Sequence, residues 1–266
     1  MLKSKIAILT TVANFELYEK TSKNFPDGIR TYVIDGRNGM HALNSILYMF
    51  KKLKNEEIDW LIMADEDVVF LDPDAVFKLI DFMQIHNYTA TGVRDGGVVK
   101  HRNNNPYSIN TFFSVLNFRK ILKFYDAKEI KNNQYIKKDE FCDDLRFLNF
   151  DYEKMSLYEP YYCFYFWLRR KGEKIYFLNS NTLKEEKNQI SNQVLYPDSN
   201  PLLIHTWYAR SYGENKNHTT RIDNILNRVQ FMDSPGNPII FRDRIFPVKS
   251  TIIKVAKKIK LKISPN

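Results

Sequence analysis

Three acids stand directly behind an apolar run in Leu61-Ile62-Met63-Ala64-Asp65-Glu66-Asp67-Val68. At the end of a buried strand they would repel one another and lose hydration, which is costly unless a cation gathers them. Oxygen ligands of this kind suit magnesium or manganese, ions that keep several waters and complete their shell with phosphate. A nucleotide diphosphate substrate is the chemistry this predicts; the plain alternative is a solvated acidic loop capping the following helix. His205, in the apolar run Leu202-Leu203-Ile204-His205-Thr206-Trp207, is either a ligand at the same site or a core histidine. Glu159, ahead of Pro160, could take a proton from a hydroxyl, or it is a helix-start acid favoured by the helix dipole. The aromatics Tyr161, Tyr162, Phe164, Tyr165, Phe166 and Trp167 could stack on a sugar, but a run of this type is more often core.

The elements that must position these groups alternate regularly. Lys5 to Val12, Ile29 to Ile34 and Trp60 to Ala64 read as buried strands. Phe15 to Lys23, Met40 to Lys54 and a segment from Asp72-Pro73 to His86 read as helices between and after them. This order predicts an α/β fold, a mostly parallel sheet with helices on both faces. Such sheets bind ligands beyond the carboxyl ends of their strands, which are Thr10-Thr11 with Asn14, Asp35-Gly36-Arg37-Asn38 and Asp65-Glu66-Asp67. No Gly-x-Gly-x-x-Gly follows the first strand and no P-loop occurs, so phosphate is not cradled by glycine amides. Past residue 100 the pattern loosens: an asparagine-rich loop from His101 to Pro106, a strand from Thr111 to Leu116, and a charged region from Arg119 to Glu153 carrying helices. Then come a helix from Pro160 to Arg170 closed by Lys171-Gly172, a strand from Lys174 to Leu178, and a polar loop from Lys184 to Asn200. Arg94-Asp95 could line an acceptor pocket or belong to a surface turn at Gly96-Gly97.

Strand, Asp65-Glu66-Asp67, helix resembles the Asp-x-Asp arrangement of GT-A fold glycosyltransferases of the bacterial inverting type. Asp35-Gly36-Arg37-Asn38-Gly39 through Asn44 is similar to that family's Asn-x-Gly segment and the helix after it. Tyr158-Glu159-Pro160-Tyr161 followed by Arg169-Arg170-Lys171-Gly172 resembles the run that supplies the catalytic base, and Ile204-His205-Thr206-Trp207 resembles the late histidine that completes the metal shell. The resemblance spans residues 5 to 212. It implies a sugar donor bound by Thr10, Thr11, Asp35, Asn38, Asn44, Asp65 and Glu66, with Asp35 able to accept from a pyrimidine imide. It implies Mn2+ or Mg2+ held by Asp67, Asp65 and His205, and Glu159 as the base with Asp143 and Asp144 behind it. Arg94 and Asp95 would face the acceptor, and Tyr208 and Arg210 the diphosphate. The expected donor is a nucleotide diphosphate sugar, UDP-sugar favoured, and the acceptor a glycan or lipid-linked. Glu159-Pro160 departs from the Glu-Asp of many inverting members, and its spacing to Gly172 is slightly longer, which leaves room for a retaining mechanism. The competing functions are a sugar-nucleotide-forming nucleotidyltransferase, which usually wants a glycine-rich loop where this chain has Thr10-Thr11-Val12-Ala13-Asn14, and a non-catalytic carbohydrate or membrane-surface binding module.

Composition bounds these readings. The 266 residues are 44% hydrophobic, with 9 glycines and 10 prolines, which excludes collagen-like and low-complexity chains. Two cysteines, Cys142 and Cys163, give no disulfide framework; each is expected to be a buried thiol in a reducing compartment. The net charge of +9 is uneven: residues 249 to 266 carry six lysines and no acid, leaving about +3 for the rest. On a helix Ile252, Val255, Ala256, Ile259 and Ile263 share one side, opposite most of those lysines. That segment suits an anionic membrane surface, or packs on the domain as an ordinary helix. No nucleic acid is expected. The organisation expected is a catalytic domain over 1–248, with a nucleotide-binding half over 1–100, an acceptor half over 101–212, an extension over 213–248 and a basic tail over 249–266. No run reaches the roughly 18 apolar residues that span a bilayer, so the expected location is cytoplasmic, at most peripheral on the inner face of the membrane.

Overall fold

The structure, a computed structural model, describes residues 2–186, 188–229 and 237–252. Its first part runs β1 (Ile6–Val12), α1 (Phe15–Thr21), β2 (Arg30–Asp35), α2 (Ala42–Leu53), β3 (Trp60–Ala64), β4 (Val68–Phe70), α3 (Ala75–Ile85) and β5 (Ala90–Arg94). The middle holds β6 (Gly96–Val99), β7 (Arg102–Asn103), β8 (Ile109–Asn117), α4 (Phe118–Leu122), α5 (Ala127–Lys131) and α6 (Tyr162–Arg170). The last part comprises β9 (Ile175–Leu178), β10 (Ser180–Thr182), β11 (Asn192–Leu195), β12 (Pro201–His205), α7 (Lys216–Leu226) and β13 (Ile239–Phe241).

Seven strands form one sheet in the order β13-β2-β1-β3-β8-β5-β9, parallel throughout except that β8 runs against both β3 and β5. The expected α/β class is therefore what forms, mainly parallel and covered on both faces. Side chains along a strand point alternately to opposite faces, and β1 and β3 are apolar on both. Ala7, Leu9, Leu61 and Met63 pack with Phe50, Phe118, Phe164 and Trp167 on one side. Ile6, Ile8, Trp60 and Ile62 pack with Val76, Leu79, Ile80 and Met83 of α3 on the other. Tyr162 through Leu168 are buried, so the aromatic run is core, and α6 ends where Gly172 takes φ +78° while Glu173 N–H reaches the Leu168 carbonyl.

Several local expectations give way. The acids do not lead straight into a helix: β4 follows them and pairs antiparallel with β12 in a second sheet, β10-β11-β12-β4. Helix α3 begins at Ala75, whose N–H is taken by Asp72 Oδ1 at 3.2 Å. The polar stretch 184–200 contains β11, and residues 132–160 hold no helix. Gly96 and Gly97 are buried in β6 rather than in a surface turn. A Cβ on Gly96 would overlap the Asn104 carbonyl, and one on Gly97 would meet Leu148, so only glycine lets the irregular segment lie on this strand. Cys163 is buried, but Cys142 is exposed. Residues 253–266 lie outside the described residues, and with them Val255, Ala256, Ile259 and Ile263; a helical stretch begins at Phe246, and its Val248 and Ile252 are exposed. No helix among the described residues is long and apolar enough to cross a membrane.

Candidate active site

Where β3 ends, Asp65 C=O accepts the Val68 N–H at 3.2 Å, so the three acids occupy a tight turn between β3 and β4. The turn is fixed from several sides. Glu66 carboxylate accepts the backbone N–H of Ala13 (2.9 Å) and Asn14 (3.1 Å), clamping it to the end of β1, and Thr21 hydroxyl donates to the Glu66 carbonyl. Thr206 donates to the Asp67 carbonyl through both its N–H (2.9 Å) and its hydroxyl (3.2 Å). The β12–β4 register sets His205 opposite Val68, which brings the imidazole over Asp67: His205 Nε2 lies 3.3 Å from Asp67 Oδ1. The ring is held flat on Phe112, with centroids 3.9 Å apart, and its Nδ1 is buried without a hydrogen-bond partner.

The acids face a cleft of about 460 Å³ whose lining also includes Thr11, Arg102, Glu159 and Arg210. Burial, then the neighbouring Glu66 and Asp67 charges, push the Asp65 carboxyl well above the usual carboxylate range, and Arg210 is the cation that opposes this. Burial and Asp67 push Glu66 up to about 7. The turn thus crowds three carboxyl groups whose ionised forms burial and mutual repulsion disfavour, and which a bound cation would favour. Asp67 and His205 make a carboxylate–imidazole pair of the type divalent metals accept. No group of three His, Cys, Asp or Glu side chains among the described residues is placed to hold a metal ion.

Glu159 stands in the cleft at the end of a chain of charges. Its Oε1 accepts from Arg102 Nη2 at 2.6 Å, and Arg102 also grips Asp95 at 2.6 and 3.1 Å. Asp95 is fully buried and additionally accepts from Asn110 (2.6 Å) and the Tyr162 hydroxyl. Burial pushes its carboxyl up, with Arg102 pulling the other way. Burial works against the Arg102 charge, but Asp95 and Glu159 hold the guanidinium firmly protonated.

The structure brings together Thr11, Asp65, Glu66, Asp67, Glu159, His205, Tyr208 and Arg210. It does not bring in the others. Asp143 is ion-paired with Arg94 (2.8 Å) and Arg169; burial works to raise its carboxyl, yet the two arginines hold it below its ordinary value. Asp144 is exposed and pulled down to about 2 by Arg146. Arg94 and Asp95 are committed to these internal partners and do not line the cleft. Asp35 is bound by Arg37 at 2.6 Å, which holds its carboxyl below the ordinary range, and by Arg242 at 3.1 Å. Thr10 is buried with its hydroxyl unpartnered. Asn38 bonds the Asp243 carbonyl (2.9 Å), and Asn44 is exposed on α2.

Three contributors went unnoticed in the sequence: Arg102, His41 and Thr206. His41 lines the cleft beside Arg210 and is held below its ordinary pKa by burial and that charge. A second hollow of about 580 Å³, over Gly36, Arg37 and Tyr212, shares Ala13, His41 and Arg210 with the cleft. Between them runs the loop after β12, in which Trp207 and Tyr208 both take left-handed backbone (φ 60° and 64°), a conformation costing about 1–3 kcal/mol per residue. Arg221 bonding the Trp207 carbonyl (3.0 Å), Asn192 accepting the Trp207 indole N–H (2.7 Å) and Asn14 bonding the carbonyls of Ala209 (3.0 Å) and Tyr212 (2.8 Å) hold it there.

No protein family and no curated protein matches the chain. Among solved structures it is similar to A197 from STIV, at 15% identity and TM-score 0.35, covering 75% of this chain and 93% of that one. It is similar to a mannosyltransferase of Pyrobaculum calidifontis in complex with GDP-Man and Mn2+ (9%, TM-score 0.29, 46% of this chain and 47% of that one). It is also similar to the glycosyltransferase GlyE of Streptococcus pneumoniae (10%, TM-score 0.35, 57% and 45%). The chain spans about half the length of these last two.

Proposed function

We propose that the chain is a metal-dependent glycosyltransferase that passes a sugar from a nucleotide diphosphate donor, UDP-sugar favoured, to a glycan or lipid-linked acceptor. The observation that carries the proposal is the acidic turn after β3, in which Asp67 lies 3.3 Å from His205 Nε2 at the edge of a cleft that also holds Arg210. Asp67 and His205 would hold Mn2+ or Mg2+, with the diphosphate completing the shell; the crowded acids of the turn fit such a tenant. Bound there, the metal would neutralise the leaving diphosphate as its bond to the anomeric carbon breaks.

The chain's own residues do the rest. Arg210, which has no carboxylate partner among the described residues, would take a diphosphate oxygen, and the hollow beside it over Gly36 and Arg37 would receive ribose and base. Thr11 and Asp65 border that path, whereas Asp35, saturated by Arg37 and Arg242, would act on the base only by exchanging a partner. Glu159 would accept the acceptor hydroxyl's proton in an inverting displacement, with Arg102 holding its carboxylate in place at 2.6 Å. The exposed Ile245, Val248 and Ile252, with Lys249 among them, support contact of the C-terminal segment with an anionic membrane surface.

The test is calorimetric titration of UDP, GDP and CDP, each with manganese and with chelator, into the wild type and Asp67→Ala. One nucleotide should bind, and only when both the metal and Asp67 are present. Absence of binding by every nucleotide in every condition would overturn the proposal and favour a non-catalytic module.

A further inference from the structure

Away from the cleft, a hollow of about 470 Å³ lies between β6, the β9–β10 connection and residues 147–149. We propose that it is a binding site for a neutral carbohydrate, distinct from the cleft and independent of the transferase proposal. Its walls are built rather than incidental. The irregular segment is laid onto β6 by the glycine contacts at Gly96 and Gly97 and by the Phe150 N–H to Gly97 carbonyl bond (3.2 Å). Arg94 packs its guanidinium on Phe177, 3.6 Å from the ring centroid, and borders Phe147 at 6.0 Å.

The lining selects a chemical class. The Arg94 side chain is only 7% exposed, with Nη1 turned to Asp143 at 2.8 Å and its face covered by Phe177, so the hollow presents no exposed cation for a phosphate, and its lining holds no acid for a metal. Phe147 is 53% exposed, an apolar ring face presented to solvent at the rim. Around it, the side-chain amides of Asn149, Asn179 and Asn181 make no hydrogen bond to another described residue, and each offers both donor and acceptor. A wholly apolar ligand would strip these amides of water without replacing it. A molecule with C–H faces for the ring and hydroxyls for the amides satisfies both, and that description is a neutral oligosaccharide.

The hollow is also wired to the cleft. Ser180, in its lining, accepts from Asn192 Nδ2 at 2.6 Å, and the Asn192 carbonyl oxygen accepts the indole N–H of Trp207, which lines the cleft. An occupant bonding Ser180 would act on the strained Trp207–Tyr208 loop through one intervening side chain.

Saturation-transfer NMR on the full chain, with maltotriose, cellotriose, mannotriose, xylotriose and chitotriose at millimolar concentration, tests the assignment. At least one trisaccharide should bind, its affinity falling about tenfold in Phe147→Ala and severalfold in Asn181→Ala, and staying unchanged in Asp67→Ala. No binding by any of the five, or binding that both hollow variants leave intact, overturns it. Because Asp67→Ala removes only the metal-dependent nucleotide signal, failure here and failure of the transferase proposal give different results.

Discussion

Replacing Arg102 with methionine keeps much of its apolar stem and removes the one cation among the described residues that is paired with Asp95. The Asp95 side chain is fully buried, so its carboxylate would be left facing only Asn110 and Tyr162. Breaking a buried pair by removing one partner costs about 3–5 kcal/mol, and the two surviving donors place the expected loss at the lower end, about 3 kcal/mol. Glu159 sits at the solvent end of the same guanidinium, and Glu159→Gln keeps an acceptor for Arg102, so its cost should stay near 1 kcal/mol. Adding Asp95→Asn to Arg102→Met removes the stranded charge and should recover about 2 kcal/mol. Urea unfolding at pH 7.5, followed by circular dichroism and tryptophan fluorescence with a shared slope, measures all four proteins. Equal losses in Arg102→Met and Glu159→Gln, or no recovery in the double variant, would refute the idea that Asp95 is the buried anchor and Glu159 the working end.

Two further outcomes follow from the site and its walls. Glu66 is pushed up to about 7 from an ordinary 4.5, so the folded state favours its protonated form. Its contribution is fully present below pH 4.5 and lost as pH rises through 7, a decline of roughly 3 kcal/mol. Unfolding in chelator from pH 4.5 to 8 should show it, and Glu66→Gln should flatten the curve; a wild-type curve no steeper than the variant's would contradict the burial argument. Gly96→Ala forces β6 and the Asn104 carbonyl apart and should cost about 2–3 kcal/mol, with faster amide exchange at Phe150 and Glu153, whose N–H groups bond Gly97 and Asn104. Unchanged exchange at those two amides would mean that the segment does not depend on the glycine.

The strands of the parallel half could be read directly, because β3 and the Ile6–Leu9 part of β1 are apolar and buried on both faces. That Asp65, Asp67 and His205 share one cleft was legible from the same strands, since each stands at or beside the end of an apolar run. Direction was not legible, and β8, though expected near residues 111–116, carries no mark in its residues that it runs against its neighbours. β4 and β11 were missed because three or four residues are too few for a period to show, and β11 has two polar residues among its four. Arg102 sat unremarked in an asparagine-rich loop, since what defines it is Asp95 seven positions before and Glu159 far beyond it. Asp35 is saturated by Arg37 two residues on and by the distant Arg242, and nothing in the residue types at 35–37 marks that pairing.

The pairing of β4 with β12 has a consequence in time as well as in space. Asp67 and His205 meet only because Val68 finds a partner at the far end of the chain, and closing a loop that long is entropically expensive and slow. No partially folded species that lacks β12 can hold the pair, however complete its first hundred residues are. The metal-dependent ligand binding proposed above would then report that β12 has docked: it should emerge during refolding only with that pairing, and a saturating ligand should raise the unfolding midpoint of the intact chain while leaving any fragment that ends before residue 201 unchanged.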